Sequence, residues 1–306
     1  MSSPTQFTRS TRFLILSDTH NFEFGDSCAG PLRLPLPKVD VILHCGDLTY
    51  CGGASSYKKL IKMLAAMDAE LKIVIAGNHD IDLDEKYWKT HLDEDDEPED
   101  HSLAVNIMTG SLAAKACVTY LEEGTYTFTL KNGAKFSLYA SPYSPAFCDW
   151  AFAYEHDEDR FNGPHCVADG VKSIATNPIP NDVDIVMTHG PPKGILDVCP
   201  QGSVGCKNIL QAMRRVRPRL HCFGHVHPGN GMKVEDWGST TRTVSKEDAS
   251  KQQEPLVNLY PNPMNPALIH GQQSLMVNAA IMDDHNNPVN TPWLVDLELP
   301  LSPSTS

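Results

Sequence analysis

The sequence lacks three features that would each place it in a familiar class of proteins. It has nine cysteines but no Cys-x-x-Cys pair, which counts against zinc ribbons and thioredoxin-like redox proteins. It has no apolar run approaching the roughly 18 residues that a membrane-spanning helix needs. Its 25 lysines and arginines are outnumbered by 38 aspartates and glutamates, and the formal net charge is -13. Because such a surface repels a phosphate backbone, we expect no stable binding to nucleic acid.

The amino-terminal residues and the cysteines bear on the compartment. The first apolar stretch, Phe13–Leu16, is too short for the core of a secretory signal. An odd number of cysteines favours reduced thiols, so we predict a cytoplasmic protein, with the nucleus as the alternative, and no membrane partner. The length of 306 residues allows one large domain. We predict a single domain over residues 1–306, with surface insertions near 85–105 and 232–266.

Five short apolar runs have the length and β-branched content of buried strands. They are mostly continuous rather than alternating, which is typical of strands covered on both faces. The runs are Phe13–Leu16, Val39–Leu43, Ile73–Ala76, Val183–Met187 and Leu220–Phe223. Apolar residues at helical spacing in Ser55–Leu71 predict a helix between the second and third runs, as in a βαβ unit. Another short helix is predicted at Ile209–Met213.

The middle and the end of the chain have a different pattern. Thr125–Leu130 and Lys135–Ala140 alternate in polarity and flank an Asn-Gly pair at 132–133, which predicts a β-hairpin. Further strands are predicted at Leu275–Ala280 and Trp293–Leu297. The predicted fold class is therefore α/β, with two packed sheets and helices outside them.

Two polar segments are predicted to lie on the surface. Residues 93–100 are an acidic run, and we predict a solvated loop there. The run lacks the Asp-x-Asp-x-Asp-Gly spacing of a calcium-binding loop. Glu235–Gln253 is polar and charged, and we predict that it is a surface excursion.

Each of the five predicted strands is followed at once by residue types that bind metal ions. The motifs are Asp18-Thr19-His20, His44-Cys45-Gly46-Asp47, Gly77-Asn78-His79-Asp80, Thr188-His189-Gly190 and Gly224-His225-Val226-His227. Because ligands collect beyond the carboxyl ends of strands in α/β sheets, we expect these motifs to share one cleft. Carboxylate, amide and imidazole donors without thiolates suit manganese, iron or zinc rather than a structural zinc site. Any one motif could be an ordinary turn, but five in order favour a metal centre.

Together these motifs resemble those of the calcineurin-like metallophosphoesterase superfamily, over about residues 13–230. Ser17–His20, Asp149–Phe152 and Phe223–Gly231 further resemble the subgroup of metallophosphoesterase-domain-containing proteins related to vertebrate brain proteins of that name. The resemblance implies a two-sheet α/β/β/α sandwich that holds two divalent metal ions, manganese first, with iron or zinc as alternatives. The metal ligands that it implies are Asp18, His20, Asp47, Asn78, His189, His225 and His227.

The same resemblance implies a division of roles among these side chains. Asp47 would bridge the two metals. The first metal would also be held by Asp18, His20 and His227, and the second by Asn78, His189 and His225.

Four residues beside the ligands are candidates for catalysis or substrate binding. His79 would face the substrate phosphate and stabilise or protonate the leaving group. Asp80 would orient the ring of His79 from behind. Asn78 and His79 are candidate substrate contacts, and Tyr143 and Trp150 could stack a base, although packing of the two aromatic rings explains them equally well.

We predict from these residues a metal-dependent phosphoesterase that hydrolyses small phosphodiesters, cyclic nucleotides among them, through a hydroxide that bridges two metals. The protein phosphatases of the superfamily follow Gly-Asp with Asp-Arg-Gly, whereas Leu48-Thr49-Tyr50 stands here. Three alternatives stay open: a nucleotide-binding protein with little turnover, a protein or small-molecule phosphomonoesterase, and a nuclease. The natural substrate and the oligomeric state also stay open.

Overall fold

Two β-sheets pack face to face in the computed structural model, which describes residues 7–24, 32, 35–92, 97–238 and 255–302. The strands are β1 (Thr8–Leu16), β2 (Val39–His44), β3 (Ala69–Val74), β4 (Val118–Tyr120), β5 (Gly124–Thr129), β6 (Lys135–Ser141), β7 (Ser144–Pro145), β8 (Ala153–Tyr154), β9 (Glu158–Asp159), β10 (Lys172–Ser173), β11 (Ile185–Thr188), β12 (Val198–Cys199), β13 (Gly202–Ser203), β14 (Leu220–Phe223), β15 (Gly231–Asp236), β16 (Gln273–Asn278) and β17 (Trp293–Pro300). The helices are α1 (Ala54–Ala65), α2 (Glu85–Thr90), α3 (Glu99–Thr109), α4 (Ser111–Lys115) and α5 (Lys207–Val216), and short 3-10 turns lie at Ile81–Leu83 and His227–Gly229.

The strand order brings the carboxyl ends of the central strands to a common edge. The first sheet has the order β17-β1-β2-β3-β4, and β1 to β4 run parallel to one another. The second sheet has the order β15-β16-β14-β11-β6-β5, and its four inner strands are parallel. Within the described part of these two sheets, the antiparallel strands are β17, β15 and β5, which occupy outer positions. All five motifs therefore follow parallel strands, as predicted.

Alternation along the strands produces layers of packed side chains. Phe13 and Ile15 of β1 enter the core between the sheets, whereas Leu14 and Leu16 face the helices on the other side. This alternation follows from the two-residue repeat of a strand. Helices α1, α3 and α4 cover the outer face of the first sheet, and α5 covers that of the second. The fold is the predicted two-sheet α/β/β/α sandwich.

The predicted boundaries differ from the structure at the first helix. We predict a helix over Ser55–Leu71, but α1 ends at Ala65 and β3 begins at Ala69. Met67 is buried beyond the end of the helix, so it extends the helical pattern of apolar residues without belonging to it. Leu71 pairs with Val41 of β2, because sheet pairing here outweighs the weak helical preference of a few residues.

The two polar segments also differ in part from the prediction. Residues 93–96 and 239–254 lie outside the described residues. The acidic run is not wholly a loop, since α3 begins at Glu99, where acidic side chains suit the first turn of a helix. Ala104 and Met108 of α3 are buried in the same core cluster as the apolar side chains of α1. Glu235 and Asp236 end strand β15. Among the described residues, no helix has the length and apolar character to cross a membrane.

Candidate metal centre

Sharp backbone turns end the first two strands and position their carboxylates. Asp18 and Asp47 have φ values of 54° and 51°, a left-handed conformation that most side chains avoid. The two loops are bound to each other, because the Asp18 N–H donates to the Gly46 carbonyl at 2.9 Å and the His20 N–H donates to the Asp47 carbonyl at 3.2 Å. The strained turns thus hold both carboxylates beside each other at the edge of the first sheet.

Two glycines, Gly46 and Gly224, allow the loops that carry the donors to approach one another closely. Gly46 has φ +100°, and a Cβ on it would lie 2.6 Å from both the Ala76 carbonyl oxygen and His189 Nδ1. A Cβ on Gly224 would likewise meet the carboxylate of Asp18. The absence of a side chain at these positions lets the second sheet bring its histidines against the aspartates of the first.

The seven predicted ligands come together in two groups of donor atoms. Asp18, His20 and His227 form the first cluster, and Asp47, His189 and His225 form the second. Within each cluster the donor atoms lie within 4.8 Å of one another. The seventh residue, Asn78, joins the second cluster, since its Oδ1 lies 2.9 Å from His189 Nε2. Most of these side chains are buried.

Asp47 touches both clusters through its two oxygens. Its Oδ1 lies 3.3 Å from Nε2 of His189 in the second cluster. Its Oδ2 lies 3.6 Å from Nε2 of His20 in the first. Oδ1 also accepts a hydrogen bond from the His79 N–H at 3.0 Å. One carboxylate therefore links the two groups of donors, and the backbone of the neighbouring loop fixes its orientation.

Backbone carbonyls orient three of the imidazole rings. The acceptors are the carbonyl oxygens of Thr49, Cys45 and Asp283, which lie 3.1, 2.9 and 3.0 Å from Nδ1 of His20, His189 and His227 respectively. A carbonyl can only accept, so Nδ1 carries a proton and Nε2 faces the carboxylates. This is the tautomer and the supporting hydrogen bond that metal-binding histidines use. These acceptors belong to the backbone, and no sequence signal identifies them.

The electrostatics of the clusters also suit a cation. Burial disfavours the charged form of Asp18, but hydrogen bonding and attraction to His227 lower the pKa of Asp18 to about 2. Burial likewise opposes the charged form of Asp47, but attraction to His189 lowers the pKa of Asp47 well below its usual value. Burial also opposes the charged forms of His189 and His227, but the carboxylates raise the pKa of each to about 9. The site thus draws in positive charge, which divalent ions would supply on displacing these protons. The residues present fit a pair of metal ions.

The structure corrects the predicted contact between Asp80 and the ring of His79. The Asp80 carboxylate is buried and accepts hydrogen bonds from the backbone N–H groups of Leu48, Thr49 and Gly77, and from the Thr49 hydroxyl. Burial raises the pKa of Asp80 to about 8 in spite of these bonds. Asp80 therefore ties together two of the loops that carry the donors.

His79 is instead oriented by a backbone carbonyl. Its Nδ1 lies 2.7 Å from the carbonyl oxygen of Tyr50. Its ring meets the ring of His20 edge to face, with 4.8 Å between centroids. His79 is half-buried and borders the first cluster without belonging to it.

The two candidate aromatic contacts lie in different surroundings. The ring of Trp150 lies 4.0 Å from that of His79, measured between centroids, at an angle of 35°. Tyr143 packs edge to face on Phe152, and the guanidinium of Arg160 lies 3.4 Å from the centre of its ring. Trp150 is thus beside the donors, whereas Tyr143 is occupied by other side chains.

Comparison with known proteins by sequence identifies a family. The family model described as Calcineurin-like phosphoesterase matches residues 11–229. The human and mouse proteins named Metallophosphoesterase domain-containing protein 1 are each 32% identical over 302 residues, which cover 95% of this chain and 72% of the relative. Among solved structures, TT1561 of Thermus thermophilus aligns with a TM-score of 0.41 and 12% identity, over 75% of this chain and 86% of that one. The family match spans every motif of the donor clusters, and the chain belongs to the calcineurin-like phosphoesterase family.

Proposed function

We propose that this protein hydrolyses small phosphodiesters, cyclic nucleotides among them, with two divalent metal ions. Asp18, His20 and His227 would hold one ion, Asn78, His189 and His225 would hold the other, and Asp47 would bridge them. The observation that carries the proposal is the position of Asp47, whose two oxygens face Nε2 atoms of different clusters. When bound, such a pair of ions supplies Lewis-acid polarisation of the phosphoryl group and activation of water near neutral pH.

His79 is the candidate proton donor of the chain itself. The carbonyl of Tyr50 holds its Nδ1, so Nε2 remains to exchange a proton with the substrate. A positioned acid of this kind contributes roughly 10²–10⁴-fold to a rate. Its backbone N–H holds Asp47, so the same short loop supports both the bridge between clusters and the candidate acid.

The residues beyond Asp47 favour a diester over a phosphoprotein. A phosphomonoester carries more negative charge than a diester, and the protein phosphatases of the superfamily meet it with an arginine after Gly-Asp. Leu48-Thr49-Tyr50 stands at that place, so the chain brings no cationic side chain there. A diester needs less positive charge in its binding site.

The metal and the compartment are further parts of the proposal. Mixed carboxylate, amide and imidazole donors suit manganese first, with iron or zinc as alternatives. The eight cysteines in the described part of the chain are all free, which supports a reducing compartment, and we propose the cytoplasm.

Metal analysis and ester hydrolysis, measured on the same sample, test the proposed function. We expect about two metal ions per chain, and hydrolysis of bis(p-nitrophenyl) phosphate with added manganese that exceeds hydrolysis of p-nitrophenyl phosphate. Two bound metals with no hydrolysis of either ester would favour the alternative of a nucleotide-binding protein. Faster hydrolysis of the monoester would replace the diesterase with a phosphomonoesterase.

A further inference from the structure

We propose that Tyr50 and Trp150 form an aromatic wall beside His79 that selects phosphoesters with a planar aromatic group, such as an aryl or nucleoside ester. This inference rests on the proposed function, because it assigns the substrate class of the same site. Trp150 is also a candidate from the sequence, whereas Tyr50 is identified only by the fold. The folded chain brings the Tyr50 ring against His20 and the Tyr50 carbonyl against His79.

The two aromatic residues contact the candidate acid from different loops. The ring of Trp150 lies 4.0 Å from that of His79. Tyr50 binds His79 through its backbone, and its ring stacks on that of His20 with 5.2 Å between centroids and 21° between planes. Tyr50 keeps 41% of its surface exposed, although one face is packed. Both rings therefore border the place where a phosphoester would meet His79.

The loop that carries Trp150 is fixed before any substrate binds. Strands β7 and β8 close the loop at its base, where the Ser144 N–H donates to the Phe152 carbonyl at 3.0 Å. The Phe152 N–H donates to Asp84 Oδ2 at 2.8 Å. The Tyr87 hydroxyl donates to the Asp149 carbonyl at 2.9 Å. A wall held by such bonds loses little freedom when a ligand stacks on it, which favours binding.

The chemistry of the wall selects for flat groups over flexible ones. Stacking on aromatic side chains depends on the π face of the ligand, which every nucleobase and aryl group offers and an alkyl group lacks. In the described part of the chain, the Trp150 indole N–H has no hydrogen-bond acceptor, whereas that of Trp88 donates to the Glu97 carbonyl at 3.2 Å. The indole N–H can therefore donate to a ligand while the ring packs against His79.

Binding of two small phosphonates to the manganese-loaded protein tests the wall without requiring turnover. Phenylphosphonate and methylphosphonate carry the same anionic group and differ in the planar ring. We expect calorimetry to give a Kd for phenylphosphonate roughly tenfold lower than for methylphosphonate, as stacking on one or two rings allows. Trp150→Leu and Tyr50→Leu keep apolar bulk but remove the π face, and each should reduce that ratio several-fold.

Phe147→Ala is the matched control. Phe147 lies on the same loop as Trp150 and is 63% exposed, but it makes no ring contact with His79 among the described residues. The control should keep the full preference for phenylphosphonate. Equal affinity of the wild type for both phosphonates, or a preference that survives in the Trp150→Leu, Tyr50→Leu double variant, would overturn the wall alone. If neither phosphonate binds to the manganese-loaded protein, the wall is overturned, and a lack of hydrolysis of bis(p-nitrophenyl) phosphate by the same sample would show that the proposed phosphoester site itself is wrong.

Discussion

Two pairs of histidines near the carboxyl ends of parallel strands have different surroundings. His44 and His221 lie inside strands β2 and β14, where each Nε2 meets a threonine hydroxyl, at 3.0 Å from Thr19 and 2.9 Å from Thr188. His189 and His225 come just after strands β11 and β14, and both belong to the second donor cluster. Burial does not separate the pairs, since His189 is as buried as His44. Position relative to the end of the strand decides whether a buried histidine can meet a carboxylate.

The charge state sets His189 apart from the other three rings, since burial also lowers the pKa of His225, to about 4. Burial lowers the pKa of His44 and His221 to about 3, so both rings are neutral. Burial acts on His189 as well, but Asp47 outweighs it and raises the pKa to about 9. Inside a strand, a histidine is a neutral core residue whose Nε2 meets a hydroxyl, while the buried Nδ1 of His44 and of His221 has no hydrogen-bond partner in the described part of the chain. At the strand end it becomes part of a charged cluster.

The largest expected effect comes from removing the carboxylate that joins the clusters. Asp47→Asn keeps the shape of the side chain but removes its charge, so we expect loss of at least one metal. We also expect kcat/KM to fall about 10⁴-fold or more, which exceeds the fall caused by removing a single electrostatic donor from an active site. Metal analysis and hydrolysis of bis(p-nitrophenyl) phosphate check this result. Full metal content together with full activity would show that Asp47 does not bridge the clusters.

His79→Ala should lower the rate without emptying the metal centre. We expect a fall in kcat of roughly 10²–10⁴-fold, the usual contribution of a positioned acid, with metal content unchanged because His79 lies outside both donor clusters. Steady-state kinetics and metal analysis on one preparation separate the two effects. Metal loss equal to that of Asp47→Asn would move His79 from catalysis to metal binding.

Gly224→Ala tests how closely the two sheets must approach. The added Cβ would meet the carboxylate of Asp18 and the side chain of Ser17, so it should disturb the first cluster. We expect metal affinity to fall roughly 10–100-fold, as when a supporting contact of a ligand is lost. Gly163→Ala is the control, since nothing lies within 4 Å of its added Cβ and its φ lies outside the left-handed region. Competition with a chelator measures both, and equal affinities would contradict the close packing.

The smallest effect on activity is expected for His221→Gln, a substitution inside strand β14. Its rate of ester hydrolysis should stay near that of the wild type. The variant should instead change the response of stability to acid. The pKa of His221 is about 3 in the folded protein and 6.5 without burial, so the unfolded chain takes up a proton first as pH falls. The wild type should therefore lose up to about 1.4 kcal/mol of stability per pH unit more than the variant between those two values.

Urea unfolding with a chelator present, at pH 7, 6 and 5, measures this difference. No charged side chain contributes to the shift at His221, which comes from burial. Parallel pH profiles for the wild type and the variant would show that His221 is not held neutral. A large loss of hydrolysis at neutral pH would instead remove the distinction between histidines inside strands and those at strand ends.

The sequence was sufficient to predict which side chains the fold brings together, because strands buried on both faces leave a clear pattern. The continuous apolar runs end where the chain turns, and His20, Asn78 and His227 stand within four residues of such ends. The hairpin of β5 and β6 was also predictable from its alternation. The end of α1 was not, because Met67 is apolar and buried outside the helix.

The supporting contacts were beyond sequence reasoning for a different reason. The carbonyl of Asp283 orients His227 at 3.0 Å, although 56 residues separate them, and a backbone acceptor has no residue type. The predicted role of Asp80 was wrong because it rested on the position of Asp80 next to His79 in the sequence. The Asp80 carboxylate instead accepts hydrogen bonds from the backbone N–H groups of Thr49 and Gly77. Such pairings depend on the tertiary path of the chain.

Three aspartates spaced two apart after His79 each secure a different stretch of chain. Asp80 holds the loop of Thr49, Asp82 accepts from the Gly53 N–H at 2.8 Å, and Asp84 accepts from the Phe152 N–H. Among the described residues, Asp84 bonds to the Trp150 loop and to the first turn of α2, and to none of the loops that carry the donors. A relative could therefore exchange that loop, together with Asp84, and acquire a preference for different esters while the ion-binding machinery stays untouched.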